Sequence, residues 1–376
     1  MKQTMLAIMV LCMLVACSTN NGTQTAVQSE SIKVGWISPL TGPAAVYGVP
    51  ALNAAKLAVE DVNAKGGING RQLELIVEDG KCDGAASTTA ATKLVDVDGV
   101  KYILGGHCST ESMSIVPVTE SRHVFLLAGT TGTDKFTNAG KLAFRTFPTA
   151  RQVFSPLADR AARDGTKTVA ILNEQKDWPQ SAAKAFSEQF IANGGTVLDQ
   201  ETFAPGTTDF RTQLLKMKEL HPDALMISCQ GPDTAAQIIQ QLKEIGLDGK
   251  QIYGDAIVVS QATYEKTKGI FPESALATAP YPKNEVLSKQ VLEAYTQKFG
   301  KIGVHDFYIT ENYDAVHILA DLIGKCGDDV ECARTELLSK TWPEVSTDFT
   351  FEASGDTNPF IGLYQVKEGK VVFLKE

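Results

Sequence analysis

Short apolar runs alternate with stretches of helical periodicity along most of this chain. Residues 32–38 (IKVGWIS), 72–78 (QLELIVE), 100–104 and 124–127 read as strands. Between them, 52–63 sets Leu52, Ala55, Val59 and Val62 on one helical face, and 85–97 and 109–121 also read as helices. Strand–helix units in series predict a parallel sheet covered by helices on both faces. The pattern then restarts with strand 142–146, helix 153–163, strand 168–172, helix 181–192, strand 196–203, helix 210–220, strand 224–228 and helix 234–245. Strand 251–253, a short helix from Ser260, strand 275–278 and long helices 286–299 and 308–324 follow, and 348–351, 361–366 and 371–374 look like antiparallel strands. Two similar halves predict an α/β protein of two doubly wound lobes, with crossings near Pro148 and Pro280, where strands run into stiff segments instead of helices. The expected division is 32–147 with 279–346 for the first lobe and 148–278 with 347–376 for the second.

Ligands of open α/β sheets bind beyond the carboxyl ends of the strands. In the first half those junctions are Pro39-Leu40-Thr41-Gly42-Pro43 with Tyr47 beyond, Gly105-Gly106-His107-Cys108-Ser109-Thr110, and Ala128-Gly129-Thr130-Thr131-Gly132-Thr133. Hydroxyl residues at a helix N-terminus make a neutral anion site that suits a small carboxylate. Alternatively, Ser109 and Thr131 only cap their own elements. In the second half the junctions hold Trp178, Gln230 and Asp255. Trp178 can lay an apolar face over a ligand, and Asp255 can meet an ammonium group. No GxSxG, HExxH, GxxxxGK[ST] or GxGxxG is present, and no nucleophile–base pair is apparent, which disfavours a secreted hydrolase. No cofactor is called for.

The N-terminus changes the picture. Lys2 precedes an apolar run from Met5 to Ala16, shorter than the roughly 20 residues of a membrane span. It reads as an export signal over 1–16. Leu14-Val15-Ala16-Cys17 looks like a lipoprotein cleavage box, with Cys17 as lipid carrier, and 17–31 reads as a flexible tether. The protein is therefore expected outside the cytoplasm, on the periplasmic or cell-surface side, held to the membrane only by its lipid. Net charge is −9 with no basic cluster, which argues against a nucleic-acid partner. Five of the seven cysteines remain after the leader and Cys17 are set aside. In an oxidising compartment Cys326 and Cys332 form the expected local pair and Cys82 joins Cys108, leaving Cys229 free. A zinc site is disfavoured because no CxxC is present and only His107 stands near any of these cysteines.

The segments IKVGWISPLTGPAAVYG (32–48), AVEDVNAKGGINGRQLELIVEDGKCD (58–83), YILGGHCSTES (102–112), AILNEQKDW (170–178) and IIQQLKEIGLDGKQIYGD (238–255) resemble the leucine/isoleucine/valine-binding family, the periplasmic substrate-binding proteins of branched-chain amino acid ABC transporters. The resemblance implies two lobes joined by three crossings, ligand between them, and the Cys82–Cys108 bridge. It implies that Ser109 holds a ligand carboxylate with Cys108 beside it, that Gly129 and Thr131, flanking Thr130, contact carboxylate and ammonium, and that Tyr47 lines the wall. The chain departs from the family at Trp178, where a tyrosine is usual, and at Gln230, where an aromatic is expected. The family's acidic ammonium partner aligns nearest Ala256, one residue past Asp255.

Together these features lead to the expectation of a monomeric, non-enzymatic, lipid-anchored binding protein that delivers a small amino acid, branched-chain type favoured, to an ABC permease by cleft closure. Another small carboxylate or amide as ligand, or a sensor of the same fold, is the alternative. Thiol-labelling mass spectrometry of the unreduced protein is expected to find Cys229 as the one free thiol beyond the tether; a labelled Cys82 would break the pairing.

Overall fold

A computed structural model describes residues 30–267 and 269–374, so the leader and Cys17 lie outside it. The first sheet contains β1 (Ile32–Ser38), β2 (Leu73–Asp79), β3 (Tyr102–Gly105), β4 (Phe125–Ala128) and β5 (Ala143–Arg145), all parallel in the order β2-β1-β3-β4-β5. In register, Trp36 pairs with Leu104 and Ile103 with Leu126. Every residue of β3 and β4 is buried, as strands covered on both faces require. Helices α1 (Ala45–Ala64), α2 (Gly84–Asp96) and α3 (Ser109–Ser121) provide part of that cover. Leu94, Ile115 and Val116 pack with Ile37, Ile103 and Leu126 on one face, and Leu52, Ala55 and Ala58 with Trp36 and Leu104 on the other.

The second half runs α4 (Ala150–Arg163), β6 (Thr168–Glu174), α5 (Asp177–Ala192), β7 (Thr196–Phe203), α6 (Arg211–Glu219), β8 (Ala224–Ser228), α7 (Pro232–Glu244), β9 (Gln251–Gly254), α8 (Gln261–Lys266) and β10 (Leu276–Pro280). The chain continues through α9 (Glu285–Phe299), α10 (Phe307–Cys326), α11 (Val330–Leu338), the small antiparallel pair β11 (Thr341–Pro343) and β12 (Asp348–Thr350), then β13 (Ile361–Lys367) and β14 (Lys370–Leu374). The second sheet has the order β14-β13-β10-β9-β8-β6-β7. Strands β6 to β10 are parallel, and β13 and β14 extend the sheet antiparallel. The architecture is the expected α/β pair of doubly wound lobes.

Three differences from the sequence reading bear on the site. Helix α1 starts at Ala45, seven residues before Leu52, and carries Pro50 inside it, although an interior proline removes a hydrogen bond and normally breaks a helix. The longer helix brings Tyr47 into its first turns. Helix α11 and strand β11 are too short to show a period; α11 is set by Asp329, whose carboxylate caps the Glu331 and Cys332 N–H groups. Finally, β12 pairs with β11, and Asp356 reaches the first lobe, so the passage expected at 346/347 falls nearer 357–361. Both expected disulfides are formed, Cys82–Cys108 with Cα atoms 5.4 Å apart and Cys326–Cys332 with 5.6 Å, and Cys229 is a buried free thiol.

Arg145 fixes that last passage. Its side chain is fully buried at the end of β5 and donates to Thr133 O (2.8 Å), Thr137 Oγ1 (2.9 Å) and Asp356 Oδ1 (2.5 Å). The chain leaving the first lobe is thereby tied to the loop after β4. Removing one partner of a buried ion pair strands the other charge. Asp356→Ala is expected to cost about 3–5 kcal/mol in urea unfolding, and a loss below about 1 kcal/mol, the scale of an exposed pair, would show that the pair does not bear this load.

Candidate functional site

The carboxyl ends of β1, β3 and β4 face those of β6, β8 and β9 across a cavity of about 50 Å³. One water needs about 10–15 Å³ of such space, so the cavity suits a small solute. From the first lobe it is lined by Pro39, Ala44, Tyr47, His107, Cys108, Ser109 and Thr130. Trp178, Gln230, Ala256 and Ile257 close it from the second, and Phe147, Phe307 and Tyr308 line it near the crossings.

Helix α3 supplies the polar floor. Its first-turn N–H groups lack intrahelical acceptors and carry the positive end of the helix dipole. Ser109 sits there, its Oγ accepting from Thr133 N at 3.2 Å, which leaves the hydroxyl proton to donate. The loop before α3 is held by Glu111, a fully buried carboxylate that accepts from the N–H groups of Cys82 (2.9 Å), His107 (2.9 Å) and Cys108 (3.0 Å). Burial pushes its pKa up to about 7, against the pull of those three donors. Gly106 has a left-handed backbone (φ 72°), and a Cβ there would lie 2.1 Å from Ser112 Oγ. Burial lowers the pKa of His107 to about 4, so it is neutral, and its single ring N–H can donate to only one of the two oxygens beside its nitrogens, Ile37 O (3.2 Å) or Asn312 Oδ1 (2.8 Å).

The walls are aromatic. Tyr47 stacks on Tyr308 with centroids 5.0 Å apart, and Trp178 packs on Phe147 (5.7 Å) and Phe154 (5.5 Å). Gly132 leaves room for the indole: a Cβ there would stand 2.0 Å from Trp178 Cζ3. The Tyr47 hydroxyl is buried without a hydrogen bond of normal geometry, and burial holds it protonated.

The lobes touch around this cavity. Lys176 Nζ donates to Cys82 O (2.8 Å), Thr110 Oγ1 and Lys135 Nζ donate to Asp177 (3.0 and 2.7 Å), and Thr133 and Ser181 share a hydrogen bond (2.8 Å). Gln230 Oε1 lies 3.3 Å from Cys82 Sγ, so the Cys82–Cys108 bridge itself forms part of the contact.

Of the residues singled out from sequence, Tyr47, Cys108, Ser109, Thr130, Trp178 and Gln230 line the cavity, and Gly129, Thr131 and Asp255 do not. Thr131 points its hydroxyl to Gly106 O (2.6 Å) and Ser112, tying two loops together behind the surface. Gly129 is packed against Asn312. Asp255 caps its own turn: Oδ1 accepts from Ile257 and Val258 N–H (3.0 and 2.9 Å), and Oδ2 from Ser228 Oγ (2.6 Å) and Cys229 N–H (3.1 Å). Phe147, Phe307 and Tyr308 were missed. Phe147 stood in view in the Phe147-Pro148 crossing, whereas Phe307 and Tyr308 reach the cavity only because α10 packs back along α1.

Residues 31–370 match the periplasmic binding protein family. The chain belongs to that family. Its members are solute-binding proteins, a class distinct from enzymes. The chain is 27% identical over 344 residues to the leucine-, isoleucine-, valine-, threonine- and alanine-binding protein of Pseudomonas aeruginosa, covering 89% of each. In fold it is similar to a leucine-binding protein from Thermotoga maritima (TM-score 0.84, 23% identity, 92% of this chain and 98% of that one). A solute-binding protein from Rhodopseudomonas palustris in complex with 3,4-dihydroxybenzoic acid shares it too (TM-score 0.81, 23% identity, 92% and 96%).

Glu111 and Asp314 both have pKa values pushed up to about 7 by burial, and Glu344 one pushed up to about 9. Carboxyls with raised folded-state pKa stabilise the fold below their unfolded values and lose that contribution as pH rises through the folded ones. His107, shifted the other way from 6.5 to about 4, opposes this loss below about pH 6.5. Glu111 and Asp314 therefore lose their contribution by about pH 7 and Glu344 by about pH 9, so the urea midpoint is expected to change less favourably from about pH 5 to 7 in the parent protein than in Glu111→Gln; equal changes in the two would refute the assignment.

Proposed function

We propose that this chain is the lipid-anchored solute-binding component of an ABC importer, taking a small carboxylate-bearing solute between its lobes. The observation that carries this is the cavity itself: closed by both lobes, floored by the α3 N-terminus with the Ser109 hydroxyl, and walled by aromatic rings. A helix N-terminus with hydroxyl donors holds an anion without a lysine or arginine. The branched-chain amino acids named for the Pseudomonas aeruginosa relative and the aromatic acid bound by the Rhodopseudomonas palustris protein both carry such a carboxylate.

Transport needs no reaction at this site. Solute meets the first lobe when the cleft is open, and closure adds Trp178, Gln230 and Ile257 from the second. The solute shifts the equilibrium by its differential affinity for the closed form. The interlobe bonds of Lys176, Asp177 and Ser181 then hold the shape that a permease recognises. Cys17 anchors the monomer through lipid on the extracytoplasmic face, where the two disulfides persist.

A thermal-shift panel of small carboxylates, amino acids among them, tests this. A true ligand at 100 times its Kd is expected to add about 2.7 kcal/mol of stability. Failure of every carboxylate to raise Tm, with shifts from amines or sugars instead, would sink the carboxylate reading.

A further inference from the structure

None of the residues lining the cavity carries an ionised side chain. An α-amino acid would bring a carboxylate and an ammonium into that space, and a buried charge needs a partner. The carboxylate has one in the α3 N-terminus and Ser109. The buried Tyr47 hydroxyl, which meets only Ser260 and without a hydrogen bond of normal geometry, is a second neutral donor.

The ammonium has no carboxylate among the lining residues; Glu311, three residues past Tyr308 on α10, keeps a buried Oε2 without a hydrogen bond but lies outside that lining. Asp255 is the nearest acid by position, but its four hydrogen bonds fill the roughly four lone-pair sites of a carboxylate. Glu174, at the end of β6, accepts from Gln230 N–H at 2.7 Å and is outside the lining. Glu111 is occupied by three backbone donors beneath the floor. His107 is neutral and both its nitrogens face protein oxygens, Ile37 O and Asn312 Oδ1, and Thr130 already donates its hydroxyl proton to His107 O (3.0 Å). The neutral oxygen left on Thr130 does not offset a full positive charge.

We infer that the solute bound here is a small monocarboxylate with an apolar body and no ammonium group. This rests on the carboxylate-solute reading above and narrows it. The aromatic walls accept an uncharged hydrocarbon body. The volume of about 50 Å³ favours a body of a few carbon atoms, since a dry cavity of about 150 Å³ is what holds benzene.

Calorimetry on the purified full chain with matched pairs isolates the ammonium: propionate against L-alanine, and 4-methylpentanoate against L-leucine. The acid in at least one pair is expected to bind at least tenfold tighter than its amino acid. Equal or tighter binding by the amino acids would overturn the inference and leave the carboxylate reading standing. Binding by none of the four, with other solute classes active in the thermal-shift panel, would remove both. Tyr47→Phe keeps the ring on Tyr308 and is expected to weaken the acid about fivefold; unchanged affinity overturns the donor role given to that hydroxyl.

Discussion

One buried carboxylate, Glu111, holds the first lobe's side of the cavity in shape. It draws backbone N–H groups from two separate loops, Cys82 after β2 and His107 and Cys108 after β3, onto one side chain. Unmade, those donors would be buried without acceptors, at about 1–3 kcal/mol each. The disulfide between Cys82 and Cys108 joins the same two loops covalently. With both loops fixed, Ser109 and the free end of α3 present their donors at one place, and Cys82 offers its carbonyl to Lys176 of the other lobe.

The second lobe meets this fixed platform through less rigid means. Its contributions come from three adjacent strand ends, and each loop is stabilised internally before it faces the cavity. Asp255 gathers its own turn so that Ala256 and Ile257 project, and Glu174 takes the Gln230 N–H so that the carboxamide leans on the bridge. The carboxylates near the site therefore shape loops, and the surface they leave is neutral. The Arg145–Asp356 pair performs a related service within the first lobe, binding the 131–137 loop to the chain just before it leaves that lobe.

Much of this was legible in the sequence. Strand–helix alternation gave the two sheets, and the strand-end rule gave Tyr47, Ser109, Thr130, Trp178 and Gln230 as candidates now found around one cavity. Thr131 and Asp255 lie outside the lining for one physical reason. Asp255 and Thr131 are short polar side chains in loops, which bond to nearby backbone as readily as to a ligand, and residue type alone does not say which. Phe307 and Tyr308 lie far along the chain and reach the site through the packing of α10 on α1, which leaves no local mark. The early start of α1 was hidden by Pro50, a residue that tertiary packing overrides here.

The contact between Trp178 and Gly132 sets a mechanical stop. An indole of one lobe lies on bare backbone of the other, at a position with no room for even a methyl group. The width of the shut cleft is thus gauged by the thickness of one ring against one peptide. A side chain added at Gly132 would act as a wedge, and a smaller ring at Trp178 would let the lobes approach further. The approach of the two lobes is therefore adjustable at Gly132, a position outside the residues that line the cavity.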